Sequence, residues 1–207
     1  MALVNGSPSV ILKNVSQLIK KKVPKESAGL VEQFATLLYR NISSLDLSAR
    51  NDSDMYGATL SLWSSLNEHK DKEPVIHVFN PSVSEHGWKS SHTIIEIIIE
   101  DMPFLVDSIR IALNRLGLSP HLMLNSPLKL VRDKDQSIIN IAPSVDTKIK
   151  ATSVETIFFI EIDRQPDKAA LNTIKKELLS VVDDITHTVN DWQPMLKKLN
   201  NITLHIK

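Results

Sequence analysis

The stretch from residue 100 to 121, EDMPFLVDSIRIALNRLGLSPH, constrains this chain more than any other. A β-branched run leads into Asp101-Met102-Pro103. Helical spacing follows, with Leu105, Ile109, Ala112, Leu113 and Leu116 on one face, and Gly117 marks a left-handed helix end before the chain becomes extended again. Proline is tolerated in the first helical turn, which predicts a helix from near Pro103 with Asp101 as its cap. A strand, a helix and a second strand joined this tightly form a crossover unit that must lie on a sheet. The stretch holds no nucleophile–base pair, metal-ligand cluster or phosphate loop, so it points to regulation or assembly rather than to chemistry.

Upstream the pattern is helical. Val10, Ile11, Val15, Leu18 and Ile19 form one stripe, ended by Pro24, and Leu30, Val31, Phe34, Leu37 and Leu38 form a second. A third helix is predicted to start at Ser53 and to carry Tyr56, Leu60 and Trp63. The polar run Asp71-Lys72-Glu73-Pro74 sets a boundary. Beyond it, Val75 to Phe79 reads as a strand, Thr93 to Glu100 as a strand with Ile95, Ile97 and Ile99 on one face, and 154–162 as another. Residues 121–131 are extended, with Pro127 suggesting a bulge or an edge, and 137–141 returns as a hairpin arm. Pro166 opens a long helix whose stripe is Leu171, Ile174, Leu178, Val181, Ile185 and Val189, with Pro194 kinking or restarting it.

From residue 93 the order strand, helix, strand, strand, helix gives most of a βαββαβ pattern. Two segments compete for the last sheet position: 202–206, and Val75 to Phe79 in a hairpin with Thr93 to Glu100. The hairpin is preferred, because Trp192-Gln193-Pro194 interrupts the route to the other. The expected fold class is α+β: a helical segment over residues 1–72, then a ferredoxin-like βαββα sandwich with an antiparallel sheet over 73–207, ending in the long helix.

Charge narrows the function. Lysine plus arginine equals aspartate plus glutamate, 24 each, so no footprint for nucleic acid or an anionic membrane stands out. There is no cysteine, which removes disulfides and thiol catalysis. No signal peptide or membrane span is read, so a soluble cytoplasmic protein is expected.

Several strings carry a family resemblance. Asp101-Met102-Pro103-Phe104-Leu105-Val106 and Gly117-Leu118-Ser119-Pro120 resemble the first turn and second strand entry of an ACT domain. A closer likeness rests on Leu38-Tyr39-Arg40, Asp54-Met55-Tyr56-Gly57-Ala58, Phe79-Asn80-Pro81, His86-Gly87-Trp88, Ser91-His92-Thr93, the run Glu100 to Ser108, Asp163-Arg164-Gln165 and Asp191-Trp192. In that order they resemble the N-terminal region of the large NAD-specific bacterial glutamate dehydrogenases. The resemblance implies a regulatory and oligomerisation region of a much longer chain. The parent would use NAD to oxidise L-glutamate to 2-oxoglutarate and ammonia, with its dehydrogenase domain far downstream. It also implies downstream domains of the parent chain and a homo-oligomer as partners. This stretch has no dinucleotide fingerprint, so no catalytic, cofactor-binding or metal-ligating residue is assigned to it. The competing reading is a stand-alone ACT-like amino-acid sensor.

Two places are candidates for function. The first is an effector or interface turn made of Asp101, Met102, Pro103, Phe104 and Leu105, with Gly117 and His121. ACT turns that hold an amino acid usually have glycine where this chain has Phe104, and a phenyl group there is expected to fill or cover the ligand space. The second is the sheet face carrying Ile94, Ile98, Ile157 and Phe159, with Glu96, Glu100, Glu155 and Glu161 as a charged rim. An apolar centre with a charged rim suits a docking surface, and equally suits cover by the N-terminal helices. His86 and His92 flank Gly87-Trp88 and read as loop residues, because a zinc site needs more ligands than these.

Overall fold

The computed structural model describes residues 8–40, 42–43, 50–69 and 73–205. The expected boundary at Asp71-Lys72 and the last two residues, Ile206 and Lys207, lie outside these. Two helices come first, α1 (Pro8–Lys22) and α2 (Lys25–Tyr39), followed by α3 (Asp52–Glu68). Strand β1 (Val75–Phe79), a short helix α4 (Val83–His86) and β2 (Thr93–Glu100) lead to α5 (Leu105–Arg115). Then come β3 (Leu122–Arg132), β4 (Ile138–Pro143), β5 (Ser153–Ile162) and the long α6 (Lys168–His205).

The five strands form one sheet in the order β1-β2-β5-β3-β4, with every neighbouring pair antiparallel. Strands β2 and β3 both pair with β5, so they run parallel to each other, and α5 is the crossover that parallel strands require. This is the α+β, ferredoxin-like arrangement. The edge beside β2 is filled by β1, whose Ile76 and Val78 face Ile97 and Ile95. The other candidate, 202–206, is helical through His205.

The strict alternation of β2 and β5 builds two cores, one on each face. Ile95, Ile97, Ile99, Phe158, Ile160 and Ile162 pack against α5 and α6. Ile94, Ile98, Ile157 and Phe159 pack against α1, α2 and α3. Because both faces are covered, β2 and β5 read as nearly unbroken apolar runs. Each fully buried isoleucine or phenylalanine contributes about 1.5–3 kcal/mol.

Several local expectations change. Asn51, not Ser53, caps α3, its side chain accepting from the Asp54 amide at 2.8 Å. The buried stripe of α3 is Met55, Ala58, Thr59, Leu62, Ser65 and Leu66, while Tyr56, Leu60 and Trp63 are only partly covered. Thr59 and Ser65 take inner positions because Tyr39 and Glu96 lie within hydrogen-bond reach of their hydroxyls. The last helix starts at Lys168, where Asp167 accepts from the Ala170 amide, and it continues through Pro194. Pro127 sits in β3, beside β5, at a place β4 does not reach. Its carbonyl accepts from Ser144, so its missing N–H faces the side beyond the end of β4. On the exposed edge of β4, the Ile141 amide donates to the Asn140 side chain and its carbonyl accepts from Gln33, which blunts that edge against pairing.

Ile97 lies between Ile76 and Phe158 and is fully buried. Ile97→Asp is expected to remove several kcal/mol of stability, on the order of 3–5, by burying an unpaired carboxylate. Urea unfolding checks this, and an unchanged midpoint would contradict the placement of Ile97.

Candidate functional site

The turn at 101–105 is built differently from a capped helix start. Asp101 does not cap α5. Its amide donates to the Val154 carbonyl at 2.8 Å, and its carboxylate accepts from the Thr156 hydroxyl at 2.5 Å, which ties the turn to β5. The N-cap is Phe104, with no side-chain capping bond and with φ at 73°, in the left-handed region. Phe104 thus adopts the backbone conformation that glycine would take without strain. Its ring does not fill the neighbouring space: it is 68% exposed. A cleft of 140 Å³ remains beside it, lined by Asp101, Asn125, Pro127 and Thr156 among others. Met102 is partly buried and receives the Thr186 hydroxyl, Pro103 is exposed, and Leu105 is buried in the α5 core.

Gly117 and His121 do not join that turn. Gly117 ends α5 with φ at 71°, as its position in the sequence suggests. His121 lies at the far end of the sheet, where its Nε2 contacts Asp163 at 2.7 Å and its ring lies against His92. An eight-residue strand separates the two ends, about 25 Å.

The second candidate, the face bearing Ile94, Ile98, Ile157 and Phe159, is closed within the chain. These four residues are 0–4% exposed beneath α1 to α3 and form no open docking face. The glutamates expected on its rim are mostly inside too. Glu100 is exposed, but Glu96, Glu155 and Glu161 are each 1–2% exposed. A buried carboxylate is costly unless partners hold it, and each of these has partners. Arg50 reaches Glu161 with a two-pronged contact, Nη2 donating to Oε2 at 2.6 Å and Nη1 to Oε1. Glu155 accepts from Ser153 at 2.8 Å, lies 2.9 Å from His69 Nδ1 and is contacted by Arg132 at 3.3 Å. The same Arg132 also donates to the carbonyl of Leu66 at the end of α3. Glu96 accepts from Ser65 of α3 at 2.6 Å, and Ser65 in turn meets His77 of β1 at 3.1 Å.

These contacts join sheet to helices by charge as well as by apolar packing. Sequence reading placed the glutamates on the rim because their partners, Arg50, His69 and Arg132, are far away along the chain. One usable signal existed: a glutamate with isoleucines on both sides in a strand buried on both faces must find a cation or a hydroxyl. Tyr39 sits in the same layer, and burial pushes its phenol up to about 12 despite a hydrogen bond with Thr59.

The far end of the sheet gathers strings that are scattered in the sequence. Asn80 accepts from the Thr93 hydroxyl and donates to the carbonyl of Gln165, whose amide donates back to Thr93. Arg164 donates to the carbonyl of Ser90 at 2.9 Å. Trp88 is buried against α3, where Gly57 permits the approach. A Cβ on Gly57 would stand 2.4 Å from the Cβ of Trp88. Between α3 and residues 88–92 a cavity of 230 Å³ remains.

A family model described as the glutamate dehydrogenase ACT1 domain matches residues 34–178, from α2 across the sheet into α6. The chain belongs to that family. The NAD-specific glutamate dehydrogenase of Halomonas elongata is 37% identical over 185 residues, 89% of this chain and 11% of that protein. The enzyme of the same name from Pseudomonas aeruginosa is 36% identical over 172 residues, 83% of this chain and 11% of that protein. The chain therefore spans about a tenth of the length of these relatives. Among the described residues no helix is long and apolar enough to cross a membrane, and no group of three or more histidine, aspartate or glutamate side chains could hold a metal ion.

Two groups give the domain opposite pH limits. Burial raises the Glu155 pKa, but the hydrogen bonds from His69 and Ser153 and the charge of Arg132 outweigh it, leaving Glu155 below the usual 4.5. Its stabilisation is present above 4.5 and is lost as pH falls through the lowered value. The Glu96 carboxylate raises His77 above its usual 6.5, outweighing burial, and Glu68 adds to this. That contribution is present below 6.5 and fades as pH rises through the raised value. Urea midpoints across pH are expected to fall on both sides, with Glu155→Gln flattening the acid limb and His77→Gln the limb above 6.5. Unaltered limbs in the variants would contradict these assignments.

The strained turn makes its own forecast. Phe104→Gly is expected to leave stability unchanged or raise it by up to about 1 kcal/mol, because relief of the left-handed strain offsets glycine's entropy. Phe104→Val is expected to cost at least about 1 kcal/mol, since a β-branched residue tolerates that region poorly. A glycine variant weaker by more than that would show that the exposed ring contributes packing.

Proposed function

We propose that this chain is a non-catalytic regulatory and assembly region at the N-terminal side of a large NAD-specific glutamate dehydrogenase. Residues 1–72 supply a helical segment and 73–207 an ACT-like domain. The whole enzyme would convert L-glutamate, NAD and water to 2-oxoglutarate, ammonia and NADH in the cytoplasm, with NAD bound and the chemistry performed elsewhere in the longer chain. The observation that carries the reading is the family match across both layers, in relatives of which this chain covers 11%. The use of the buried polar groups supports it: Glu96, Glu155 and Glu161 are committed to partners that hold the layers together. The partners are then the rest of the parent chain and further copies of it.

A second reading, an amino-acid effector module, draws on the cleft beside Asp101. Phe104 turns its ring outward there and leaves 140 Å³ open.

The purified chain is expected to form no NADH from L-glutamate and NAD, measured by NADH absorbance with a host-enzyme control. Turnover that follows the chain through purification would overturn the proposal. In the Halomonas elongata relative, deletion of the corresponding stretch is expected to change subunit assembly in sedimentation or the dependence of rate on glutamate concentration. A deletion that alters neither would contradict a regulatory or assembly role.

A further inference from the structure

The outer side of α5 carries a pattern that its own chain leaves unanswered. Its inner stripe, Leu105, Ile109, Ala112 and Leu113, is buried in the core beneath it. Asp107, Ile111 and Arg115 are exposed and stand four residues apart, so they follow one another along the outer face at about 6 Å per step. Ile111 is 51% exposed, and the ring of Phe104 beside the helix start is 68% exposed. Phe104, Ser108, Ile111 and Arg115 form one wall of an open groove, and Val181 and Ile185 of α6 form the other. Asp184 lines the same groove as Arg115. Even so, neither Arg115 nor Asp107 makes an ion pair among the described residues. The sheet leaves association to this layer: both of its faces are covered, and the outer edge of β4 is blunted.

The order acid, apolar, base selects the partner. A two-fold axis through Ile111, perpendicular to α5, lays the same helix of a second copy antiparallel on the first. Ile111 then meets Ile111 of the other copy. Asp107, four residues before it, meets Arg115 of the other copy, four residues after it, and the pair forms twice. A parallel arrangement would set aspartate against aspartate and arginine against arginine, which like-charge repulsion disfavours. The antiparallel contact has an apolar centre and a charged rim, as association surfaces do. We propose that two copies of this chain pair through α5, antiparallel about a two-fold axis at Ile111, with each Asp107 facing the other copy's Arg115. The pairing rests on the assembly reading above and gives it a surface. One helix pair is smaller than a standard interface, so the association of the chain alone is weak.

The test is sedimentation equilibrium of the full 207-residue chain at rising concentration. A monomer–dimer equilibrium is expected, with a Kd of about 100 μM or tighter. Asp107→Arg and Arg115→Asp are each expected to weaken it at least about tenfold, because each sets like charges opposite one another twice. Mixed in equal amounts, the two variants are expected to pair again, since one then carries arginine at 107 and 115 and the other aspartate at both. Ile111→Glu should also weaken pairing about tenfold or more, by placing two carboxylates on the axis. All three side chains are exposed, so the variants are expected to melt close to the parent. A chain that stays monomeric up to about 1 mM would overturn the proposal and leave the ridge to the rest of the parent chain. Dimers unaffected by either charge variant or by Ile111→Glu, or a mixture that stays monomeric, would overturn it too. Each of these results would leave the regulatory reading standing, whereas NADH formation by the chain would overturn that reading without touching the pairing.

Discussion

Everything in this molecule hangs on the pairing of β2 with β5. Eight residues of β2 face eight of β5 in unbroken register, from Thr93 opposite Ile162 to Glu100 opposite Glu155. Because side chains alternate, that one pairing presents Ile95, Ile97, Phe158 and Ile160 to one face and Ile94, Ile98, Ile157 and Phe159 to the other. A one-residue slip of either strand would exchange its two faces and strand Glu96, or Glu155 and Glu161, against α5 and α6. Register is therefore held by polar groups as well as by oil. Glu161 must meet Arg50, Glu155 must meet Arg132 and His69, and Glu96 must meet Ser65. Such pairs add little net stability, but losing one partner costs about 3–5 kcal/mol. That asymmetry suits them to specifying one arrangement of helices on the sheet.

Strand and helix identities were legible where a single period dominated. The isoleucine alternation of β2, the stripe of α5 ending at Gly117, and the hairpin of β1 onto β2 all follow from local pattern. Legibility failed where the deciding partner was distant. Asp101 looked like a cap because aspartate before a helix usually is one, yet Thr156 on β5 claims its carboxylate. Phe104 looked like a plug, since a side chain replaces glycine there, yet its backbone takes the glycine conformation and the ring turns to solvent. Pro194 reads as a kink or a restart, and the helix continues past it as one element, since a proline removes one hydrogen bond without ending a long helix. The covering of Ile94 and Phe159 could not be decided from sequence at all, because burial demands a cover without naming it.

The family match and the architecture meet in one physical picture. The module spends its buried charges on its own cohesion, and it leaves apolar residues exposed at Phe104 before α5, at Ile111 on α5 and at Leu179 and Trp192 on α6. The strings that suggested the family are not spread evenly through the fold. Tyr39, Asp54, Trp88 and His92 line one cavity, and Asn80, Thr93 and Gln165 interlock beside it. Sequence similarity of this kind therefore marks a place in space as well as a lineage.

The central claim is that α1 to α3 and the sheet form a single core, joined by apolar packing and by the three glutamates. Calorimetric unfolding of the full chain tests it most directly. A shared core gives one transition, with the calorimetric enthalpy equal to the van't Hoff enthalpy. Two separable transitions, one for the helical layer and one for the sheet with α5 and α6, would contradict it.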